Sequence, residues 1–573
     1  MGVKMKKNNN IYIEAIPYPD LRGMDLRGEG SLAYLENMYV DHDGSADAIE
    51  SIPGYRSVVR MKEKIHSFCL IGVGETESLV IHSGSRLYIG RTNVVDKDIS
   101  LSEIARLKDS ESSAITLGDI CLITDDERML SVDRHGNVRE VNGDERITSC
   151  SCATLYDGRI FLSGSKDHRG YLFISNTLGD GEIRFEESLK TACDGEILSL
   201  ISADGYLIIF HKDGVICHKA DGGNPRSYPV VKVIDNKSLC SGAIRLGREL
   251  LFMTDDGLTS LKIPDEESEP ELCCRSEKIN PILLREDQSK AMLGIWKGYL
   301  AICYGERIYL ADPRGKEGYD WYFINGVGGF INDRRVYRYR AEAEGCCSLH
   351  HTPEEIATGE IYSYGEKDGG LIYYSVEGDR RYSVYPTAEL SGGEFCPAES
   401  LVCHGGLMWF SSEGSLYLFN SDKRGLCAEN EESSFSEVDP LYYSFAGHRV
   451  RYALLTKPRK SPVTRERGRI GSYLLLRLKG LSKGELKLID ITDGKAASER
   501  KIKLGSLTSV TEREEKIPIP ASDLLTLKLP DRALPGEKIQ LCLLAEGFAS
   551  PIGISSIEYR RDDTPKAKSK GKK

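Results

Sequence analysis

Short apolar runs alternate with polar turns along most of this sequence. Between residues 60 and 430 one pattern recurs: a glycine, four or five apolar residues, a polar turn rich in Gly and Asp, and a second apolar run. Helical periodicity is almost absent, and short apolar runs bounded by turn residues are typical of β-strands. The pattern therefore predicts a series of β-hairpins. They occur at residues 77–90, 118–133, 157–175, 204–219, 247–262, 297–312, 359–375 and 405–420.

The spacing of these hairpins predicts the architecture. Successive hairpins begin roughly 40 to 60 residues apart, which is long enough for four short antiparallel strands and their turns. Repeats of this length are typical of β-propellers, in which each sheet buries both faces against its neighbours. We predict an all-β protein with a β-propeller of seven or eight blades over residues 61–440. A stacked solenoid of hairpins is the alternative.

The two ends of the chain lack the repeat. Residues 1–60 are predicted as an N-terminal arm and a hairpin, in which the turn Pro53-Gly54 follows an Asp- and Gly-rich loop. About seven strand-like segments within residues 441–561 predict a separate β-sandwich. Residues 562–573 are rich in Lys and poor in apolar residues, which predicts a disordered tail.

Composition and charge narrow the classes of function. The chain has 573 residues and a net charge of −11, so its surface has no general attraction for nucleic acid or anionic membrane. No window approaches the roughly 20 apolar residues of a membrane span, and the N-terminal lysines precede no apolar segment of a secretory signal. We expect a protein of cytosolic origin without a membrane anchor. Its 16 cysteines lie mostly in apolar runs and are expected to be free, buried thiols.

Residues that could carry chemistry do not converge in the sequence. The tightest cluster is Cys346, Cys347, His350 and His351, but adjacent pairs do not suit a tetrahedral zinc site. No histidine stands in a metalloprotease, nucleophile-elbow or kinase motif. We therefore expect no metal, no cofactor and no enzymatic activity. A glycosidase-like carboxylate pair stays open, because its spacing is spatial and not sequential.

Two basic stretches are the candidate contact sites for DNA or for a partner. One interleaves Arg with Tyr at residues 334–340, and the other spans residues 448–469. A phosphate backbone or an acidic protein would bind such residues, whereas a solvated strand face followed by a loop is the alternative. The candidates are Arg334, Arg335, Arg338, Arg340, Arg449, Arg451, Lys457, Arg459, Lys460, Arg465, Arg467 and Arg469.

In three places the chain resembles propeller-type virion proteins of tailed bacteriophages and of prophages from Gram-positive bacteria. The stretch LENMYVDHDGSADAIESIPGYR is similar to an N-terminal signature of that family, N-x-x-x-D followed by Gly and then by PG-[FY]-R. The repeat itself is the second place. The third is residues 442–480, which resemble the strand, basic loop and strand that open the C-terminal domain of the prophage proteins. The family's loops usually carry additional His and Asn that this chain lacks.

The resemblance implies a non-enzymatic structural component of a virion tail. The type it indicates is the tail hub, nozzle or head–tail connector, a homo-oligomeric ring around the DNA exit channel. Its partners would be portal or adaptor proteins and passing DNA without sequence specificity, and it would be assembled in the host bacterial cytoplasm. The alternatives are a receptor- or glycan-binding propeller at the tail tip and a glycoside-active propeller enzyme.

Overall fold

The computed structural model has regular secondary structure that is almost entirely β-strand. It describes residues 15–17, 21–27, 32–42, 48–74, 77–92, 99–165, 167–178, 182–191, 195–235, 238–262, 271–331, 334–341, 348–351, 363–367, 370–377, 380–391, 394–421, 445–446, 448, 450–460, 472–479, 485–503, 508–510, 516–518, 524–530, 538–547 and 553–561. Its described helices are α1 (Asn280–Leu283) and the 3₁₀ helices Glu145–Ser149, Pro225–Ser227 and Gln288–Lys290.

The chain divides into two compact units. The central unit consists of Pro53–Tyr319 and Ile324–His448, and the terminal unit consists of Met1–Ile52, Asp320–Phe323 and Arg449–Lys573. The sequence predicted an N-terminal arm and a hairpin over residues 1–60, apart from the C-terminal β-sandwich. In the structure, most of that segment belongs to the same unit as the C-terminal strands.

The strands of the N-terminal segment and of the central unit follow in chain order. The first five are β1 (Ala15–Pro17), β2 (Leu32–Glu36), β3 (Met38–Val40), β4 (Ile49–Ser51) and β5 (Tyr55–Arg60). Sheet 1 contains β6 (Ile65–Ile71), β7 (Ser78–Ser83), β8 (Arg86–Arg91) and β9 (Leu101–Arg106). Sheet 2 contains β10 (Ser113–Leu117), β11 (Ile120–Thr124), β12 (Met129–Asp133) and β13 (Val138–Glu140). Sheet 3 contains β14 (Asn142–Gly143), β15 (Cys152–Tyr156), β16 (Arg159–Ser163), β17 (Tyr171–Ser175) and β18 (Arg184–Lys190).

Four further sheets continue the series. Sheet 4 contains β19 (Ile197–Ala203), β20 (Tyr206–His211), β21 (Gly214–Lys219) and β22 (Val230–Asp235). Sheet 5 contains β23 (Ile244–Leu246), β24 (Glu249–Thr254), β25 (Gly257–Lys262) and β26 (Glu271–Cys274). Sheet 6 contains β27 (Met292–Trp296), β28 (Tyr299–Tyr304) and β29 (Arg307–Asp312). Eight strands follow before sheet 7: β30 (Asp320–Asn325), β31 (Gly328–Ile331), β32 (Arg334–Ala341), β33 (Ser348–His351), β34 (Ser363–Lys367), β35 (Gly370–Glu377), β36 (Arg380–Ser391) and β37 (Glu394–Pro397). Sheet 7 contains β38 (Ser400–His404), β39 (Leu407–Ser412), β40 (Ser415–Phe419) and β5.

Neighbouring sheets of the central unit contact one another in cyclic order. Contacts join β6 to β10, β10 to β15, β15 to β19, β23 to β27, β27 to β38 and β38 to β6. Between sheets 4 and 5, the Ala243 amide donates to Ser199 Oγ at 2.8 Å. Sheet 7 is completed by β5, whose residues Tyr55 to Arg60 pair antiparallel with β40. A strand from the beginning of the central unit therefore closes its last sheet.

Central strands of this unit are buried on both faces. Leu79 and Ile81 of β7 pack in one cluster with Trp409 of sheet 7, whereas Val80 packs with Ile123 of sheet 2. Consecutive residues of a strand point to opposite faces, so a strand between two neighbouring sheets needs an unbroken apolar run. This arrangement explains the runs of four or five apolar residues in the repeat. The same division recurs from sheet 2 to sheet 5.

The Asp-Gly pairs of the repeat form tight turns, as their sequence predicts. Asp157 and Gly158 have φ of 47° and 69°, and Asp204 and Gly205 have φ of 52° and 82°. Two consecutive left-handed residues are the requirement of a type I′ turn, for which Asp-Gly is a preferred pair. The predicted hairpins at 157–175, 204–219 and 247–262 are confirmed by the strand register.

One predicted propeller hairpin was assigned to the wrong sheet. Residues 359–375 supply β34 and β35, which belong to a five-stranded antiparallel sheet of order β33-β32-β36-β35-β34. The chain between β31 and β37 forms this sheet, and those two strands pair with each other. An apolar–turn–apolar pattern specifies a hairpin but does not say which sheet the hairpin joins. The other seven predicted hairpins fall one in each of the seven sheets.

The terminal unit is built by strands from both ends of the chain. Its later strands are β41 (Val450–Thr456), β42 (Arg459–Lys460), β43 (Ser472–Lys479), β44 (Glu485–Thr492), β45 (Lys495–Lys503), β46 (Thr508–Val510), β47 (Lys516–Pro518), β48 (Leu524–Pro530), β49 (Lys538–Gly547) and β50 (Gly553–Arg561). One sheet has the order β3-β4-β50-β43-β48, with β1 also paired to β50. Another set of paired strands runs β2-β41-β49-β44-β45, with β42 also paired to β49. The N-terminal strands β1, β2 and β4 thus pair with strands more than 400 residues later.

Candidate partner-contact surface

The structure describes the side chains of three of the twelve candidate basic residues. Arg451 lies on β41, Arg459 lies on β42, and Lys457 lies between these two strands. The other nine lie outside the residues whose side chains the structure describes: Arg334, Arg335, Arg338 and Arg340 on β32, Lys460 on β42, and Arg449, Arg465, Arg467 and Arg469. Their contact role stays a prediction.

Arg451 lies on the outer face of a sheet whose other face is apolar. Its neighbours in the strand, Val450 and Tyr452, are buried, whereas Arg451 is exposed. The backbone carbonyl of Arg451 accepts a hydrogen bond from the Asn37 side-chain amide at 2.8 Å. This contact links β41 to the N-terminal chain segment and fixes the backbone that carries the guanidinium group.

Two lysines that the sequence did not single out share this face. The register places Leu455 of β41 opposite Cys542, and Cys542 opposite Ile489 of β44. Residues that lie opposite each other share a face, and so do residues two or four apart on one strand. Arg451 is on the face of Leu455, and Lys487 is on the face of Ile489. Arg451 and Lys487 therefore lie on the same side of the sheet. Lys501 is the register partner of Lys487 on β45 and is exposed. We call Arg451, Lys487 and Lys501 the basic face.

Charge at the basic face acts on the thiol of Cys542. Burial raises the pKa of Cys542, and the positive charges of Arg451 and Lys487 oppose that rise. Lys487 Nζ lies 2.9 Å from Glu499 Oε1, so part of its charge is balanced within the sheet. The alternation of Lys487 with the buried Leu486 and Leu488 was the sequence signal that could have identified it.

A buried ion pair supports the strands beneath the basic face. Asp490 of β44 is fully buried, and Arg500 of β45 contacts both of its carboxylate oxygens at 2.7 and 2.9 Å. The Ser498 hydroxyl also donates to Asp490 Oδ2 at 2.6 Å. A single guanidinium nitrogen, Nη2, makes both contacts, and hydrogen bonds between charged groups are shorter and stronger than neutral ones. The pair therefore joins the side chains of β44 and β45, the strands that carry Lys487 and Lys501.

Lys457 has a structural partner. Its Nζ lies 3.7 Å from Asp25 Oδ1, and both side chains are largely buried. Asp25 also accepts the backbone amide of Arg27 at 2.9 Å. The sequence grouped Lys457 with exposed basic residues because it lies in a charge run, but its ion pair joins the two ends of the terminal unit. To bind DNA or a partner protein, Lys457 would have to give up its ion pair with Asp25.

The hairpin prediction near the N terminus is confirmed. Strands β3 and β4 pair antiparallel, with Met38 opposite Ser51 and Val40 opposite Ile49. The Asp-rich loop between these strands lies mostly outside the described residues, as do Cys346 and Cys347 of the Cys-His cluster. Across the described residues, no group of three or more His, Cys, Asp or Glu side chains is arranged to hold a metal ion.

A polar cluster joins sheets 1 and 2 of the central unit. His66 Nε2 lies 2.8 Å from Asp109 Oδ1, and His82 Nδ1 lies 2.8 Å from the hydroxyl of Ser112. The two imidazole rings are 4.9 Å apart, and His82 is fully buried. Burial first, and then the adjacent His66, lower the pKa of His82 to about 4, against the opposing charge of Asp125. His82 is therefore neutral near pH 7.

A cavity of about 460 Å³ lies between sheet 5 and the chain that follows sheet 6. Arg248, Glu249, Arg275 and Tyr319 contribute to its lining. Arg275 forms an ion pair with Glu249, which also accepts the Tyr319 hydroxyl at 2.6 Å. These three side chains hold one another in place, whereas Arg248 is exposed at the cavity.

Comparisons with known proteins identify no family. No protein-family model matches the sequence, and no curated protein matches it. Within the described part of the chain, no helix is both long enough and apolar enough to cross a membrane.

Similar solved structures include three proteins with low sequence identity. PorZ, a surface component of the type-IX secretion system of Porphyromonas gingivalis, is 12% identical over 81% of this chain and 69% of its own, with a TM-score of 0.32. Hsv2 of Kluyveromyces lactis is 9% identical over 46% of this chain and 97% of its own, with a TM-score of 0.28. The WD40 domain of Neurospora crassa Pan2 is 9% identical over 50% of this chain and 90% of its own, with a TM-score of 0.30.

Proposed function

We propose that this chain is a non-enzymatic structural subunit of a tailed-phage virion, either a tail hub or nozzle or a head–tail connector. In this proposal the seven sheets are the blades of a seven-bladed propeller, and the two groups of paired strands in the terminal unit form a β-sandwich. Copies of the chain assemble into a ring around the DNA exit channel. The subunit is assembled in the bacterial cytoplasm and contacts portal or adaptor proteins.

The position of the PGYR segment carries this proposal. Residues Pro53 to Arg56 are the end of the stretch that resembles the phage family, and β5 begins at Tyr55. This strand completes sheet 7 by pairing with β40. The residues of the PGYR segment therefore begin the strand that would close the proposed propeller, which gives this part of the phage-like stretch a structural role.

The basic face supplies a surface suited to an acidic partner. Arg451, Lys487 and Lys501 share one side of a sheet in a protein with a net charge of −11. Local positive charge on an acidic body attracts phosphate or carboxylate groups without holding nucleic acid along its whole surface. This combination suits a channel component that DNA must pass without sticking.

Location in the particle tests the proposal. Antibodies against the purified protein should label particles released from the producing bacterium at the head–tail junction or along the tail. The protein should also co-purify with those particles through a density gradient. Its absence from purified particles overturns the proposal, whatever its oligomeric state in solution.

The cavity beside Arg248 favours one alternative, a receptor- or glycan-binding propeller at the tail tip. A concave site with an exposed guanidinium suits an acidic sugar or another anionic group. Binding of the isolated protein to host cells that is lost in Arg248→Ala would support this alternative. Equal binding by the variant and by the parent protein would exclude the cavity as the receptor site.

A further inference from the structure

Two buried cysteines meet at the junction of sheets 1 and 2. Cys69 lies on β6 and Cys121 lies on β11, and their side chains are 2% and 0% exposed. Their Sγ atoms are 2.6 Å apart. This is closer than two non-bonded sulfur atoms approach, and about 0.6 Å longer than a disulfide bond. Within the described part of the chain, no other pair of thiols is hydrogen-bonded.

The surroundings of the pair are apolar and buried. Cys69 and Cys121 belong to one core cluster with Ile71, Val80 and Ile123, which are all fully buried. The strands β6 and β11 contact each other, and the two cysteines are 52 residues apart in the chain. Bond formation would require the two sulfur atoms to approach by about 0.6 Å.

We propose that Cys69 and Cys121 form a disulfide that covalently joins sheets 1 and 2 once the protein meets hydrogen peroxide. One thiol attacks the O–O bond of the peroxide, which gives a sulfenic acid and one molecule of water. The second thiol then displaces the sulfenic hydroxyl, which forms the S–S bond and releases a second molecule of water. Two thiols are oxidised, and one peroxide is reduced to two waters.

The environment sets the rate of this reaction. Burial raises the pKa of Cys121 well above its usual range, and the neighbouring Cys69 thiol adds to that rise. The thiolate is the reactive form, so oxidation of the folded protein is slow near neutral pH and faster in alkaline solution. The same burial protects the completed disulfide from reducing agents. The thiols thus stay reduced in a cytosol, as the sequence indicated, and become linked after longer exposure outside it.

The disulfide would stabilise the central unit at sheet 1, which packs against the sheet that β5 completes. Sheet 1 packs against sheet 7, where β5 completes the last sheet, so sheet 1 is held by non-covalent contacts on both sides in the reduced protein. A cross-link over 52 residues restricts the unfolded chain. The melting temperature of the central unit should rise on the order of 5 °C on oxidation.

Peptide mapping of the full-length protein tests the proposal. The purified protein is treated with hydrogen peroxide, unfolded in N-ethylmaleimide, digested without reductant and analysed by mass spectrometry. We expect a linked pair of peptides that contain Cys69 and Cys121, and we expect it to disappear in Cys69→Ala and in Cys121→Ala. Cys217→Ala is the matched control, because Cys217 is equally buried in the core between sheets 4 and 5. The linked pair should persist in that variant.

The exposed thiol of Cys274 reports that the oxidant has acted. If Cys274 is fully oxidised while Cys69 and Cys121 both still react with N-ethylmaleimide on unfolding, the proposal is overturned. It is also overturned if the two cysteines are recovered as sulfinic acids without a link. Both of these outcomes are measured on the parent protein, so the proposal can be tested even if a cysteine variant fails to fold. The outcome is independent of the proposed place in a virion.

Discussion

The phenol oxygen of Tyr55 lies 2.9 Å from the carbonyl oxygen of Gly328 and 3.0 Å from its amide nitrogen. The two residues are 273 positions apart in the chain. Tyr55 is the first residue of the strand that completes sheet 7, and its ring stacks on Phe445 at a centroid distance of 4.7 Å. Burial raises the pKa of Tyr55 far above its usual range, so the hydroxyl stays protonated and can donate. Tyr55 therefore fastens the closing strand to the chain that follows sheet 6.

Removal of the Tyr55 hydroxyl should weaken this closure. In Tyr55→Phe the buried amide and carbonyl of Gly328 lose a partner, which should lower the free energy of unfolding by about 1–3 kcal/mol. Chemical denaturation followed by tryptophan fluorescence measures this change. Tyr206→Phe is the control, because Tyr206 is also buried in the central unit and should change stability by under about 0.5 kcal/mol. Equal effects of the two substitutions would refute the role of the hydroxyl.

The stability of the central unit should fall in acid through His82. Burial first, and then His66, lower the folded-state pKa of His82 to about 4, whereas an unfolded histidine has a pKa of about 6.5. The unfolded chain therefore binds the proton first as the pH falls. The stabilising contribution is complete above pH 6.5 and is lost between about pH 6.5 and pH 4, with a total on the order of 3 kcal/mol.

Comparison with His82→Asn isolates this contribution from the titration of the carboxylates. The variant should show a flatter dependence of the unfolding free energy on pH between about 6.5 and 4. Asp109 and Asp125 face the same cluster and are present in both proteins, so the comparison changes only the imidazole. Parallel pH profiles for the two proteins would contradict a buried neutral His82.

The buried ion pair of the terminal unit should be costly to break from one side. In Asp490→Ala the guanidinium of Arg500 stays buried without its partner, so the unit should lose about 3–5 kcal/mol of stability. The double substitution Asp490→Leu and Arg500→Met should recover most of this loss. Glu499→Gln, which disrupts the more exposed pair with Lys487, should cost under about 1 kcal/mol. Both losses are measured by denaturant titration. Similar losses for Asp490→Ala and Glu499→Gln would show that the buried pair of Asp490 and Arg500 contributes no more to stability than an exposed pair.

The basic face should contribute to contact with nucleic acid. Arg451→Ala should weaken binding of a short DNA duplex at low salt and should reduce the slope of log K against log salt by about one. Fluorescence anisotropy across a salt series measures both quantities. Lys495→Ala serves as the control, because Lys495 is exposed at the tip of the β44–β45 hairpin, away from Arg451. An unchanged slope for Arg451→Ala would show that Arg451 of the basic face makes no contact with DNA phosphates.

Local patterns predicted the strands well and their partners poorly. The hairpin at 204–219 was predictable because its apolar runs and its Asp-Gly turn are contiguous in the sequence. The hairpin at 359–375 has the same pattern, yet it lies in a different sheet because pairing depends on chain segments far away. For the same reason, nothing local indicated that β2 pairs with β41.

The candidate site shows the same limit. The charge run correctly drew attention to Arg451, but it also included Lys457, whose partner Asp25 lies 432 positions earlier. Lys487 was missed because a single lysine in a strand is not a charge run. Burial of Cys69 and Cys121 was predictable from their apolar neighbours, whereas their contact across two sheets was not.

A subunit of a ring around the DNA channel must assemble with copies of itself. Negative-stain images of the purified full-length protein, and of tails detached from particles, should show annular assemblies with a single central opening. We predict these rings in both samples, with the same number of subunits. A protein that stays monomeric in solution and is present as single copies in assembled particles would contradict this prediction.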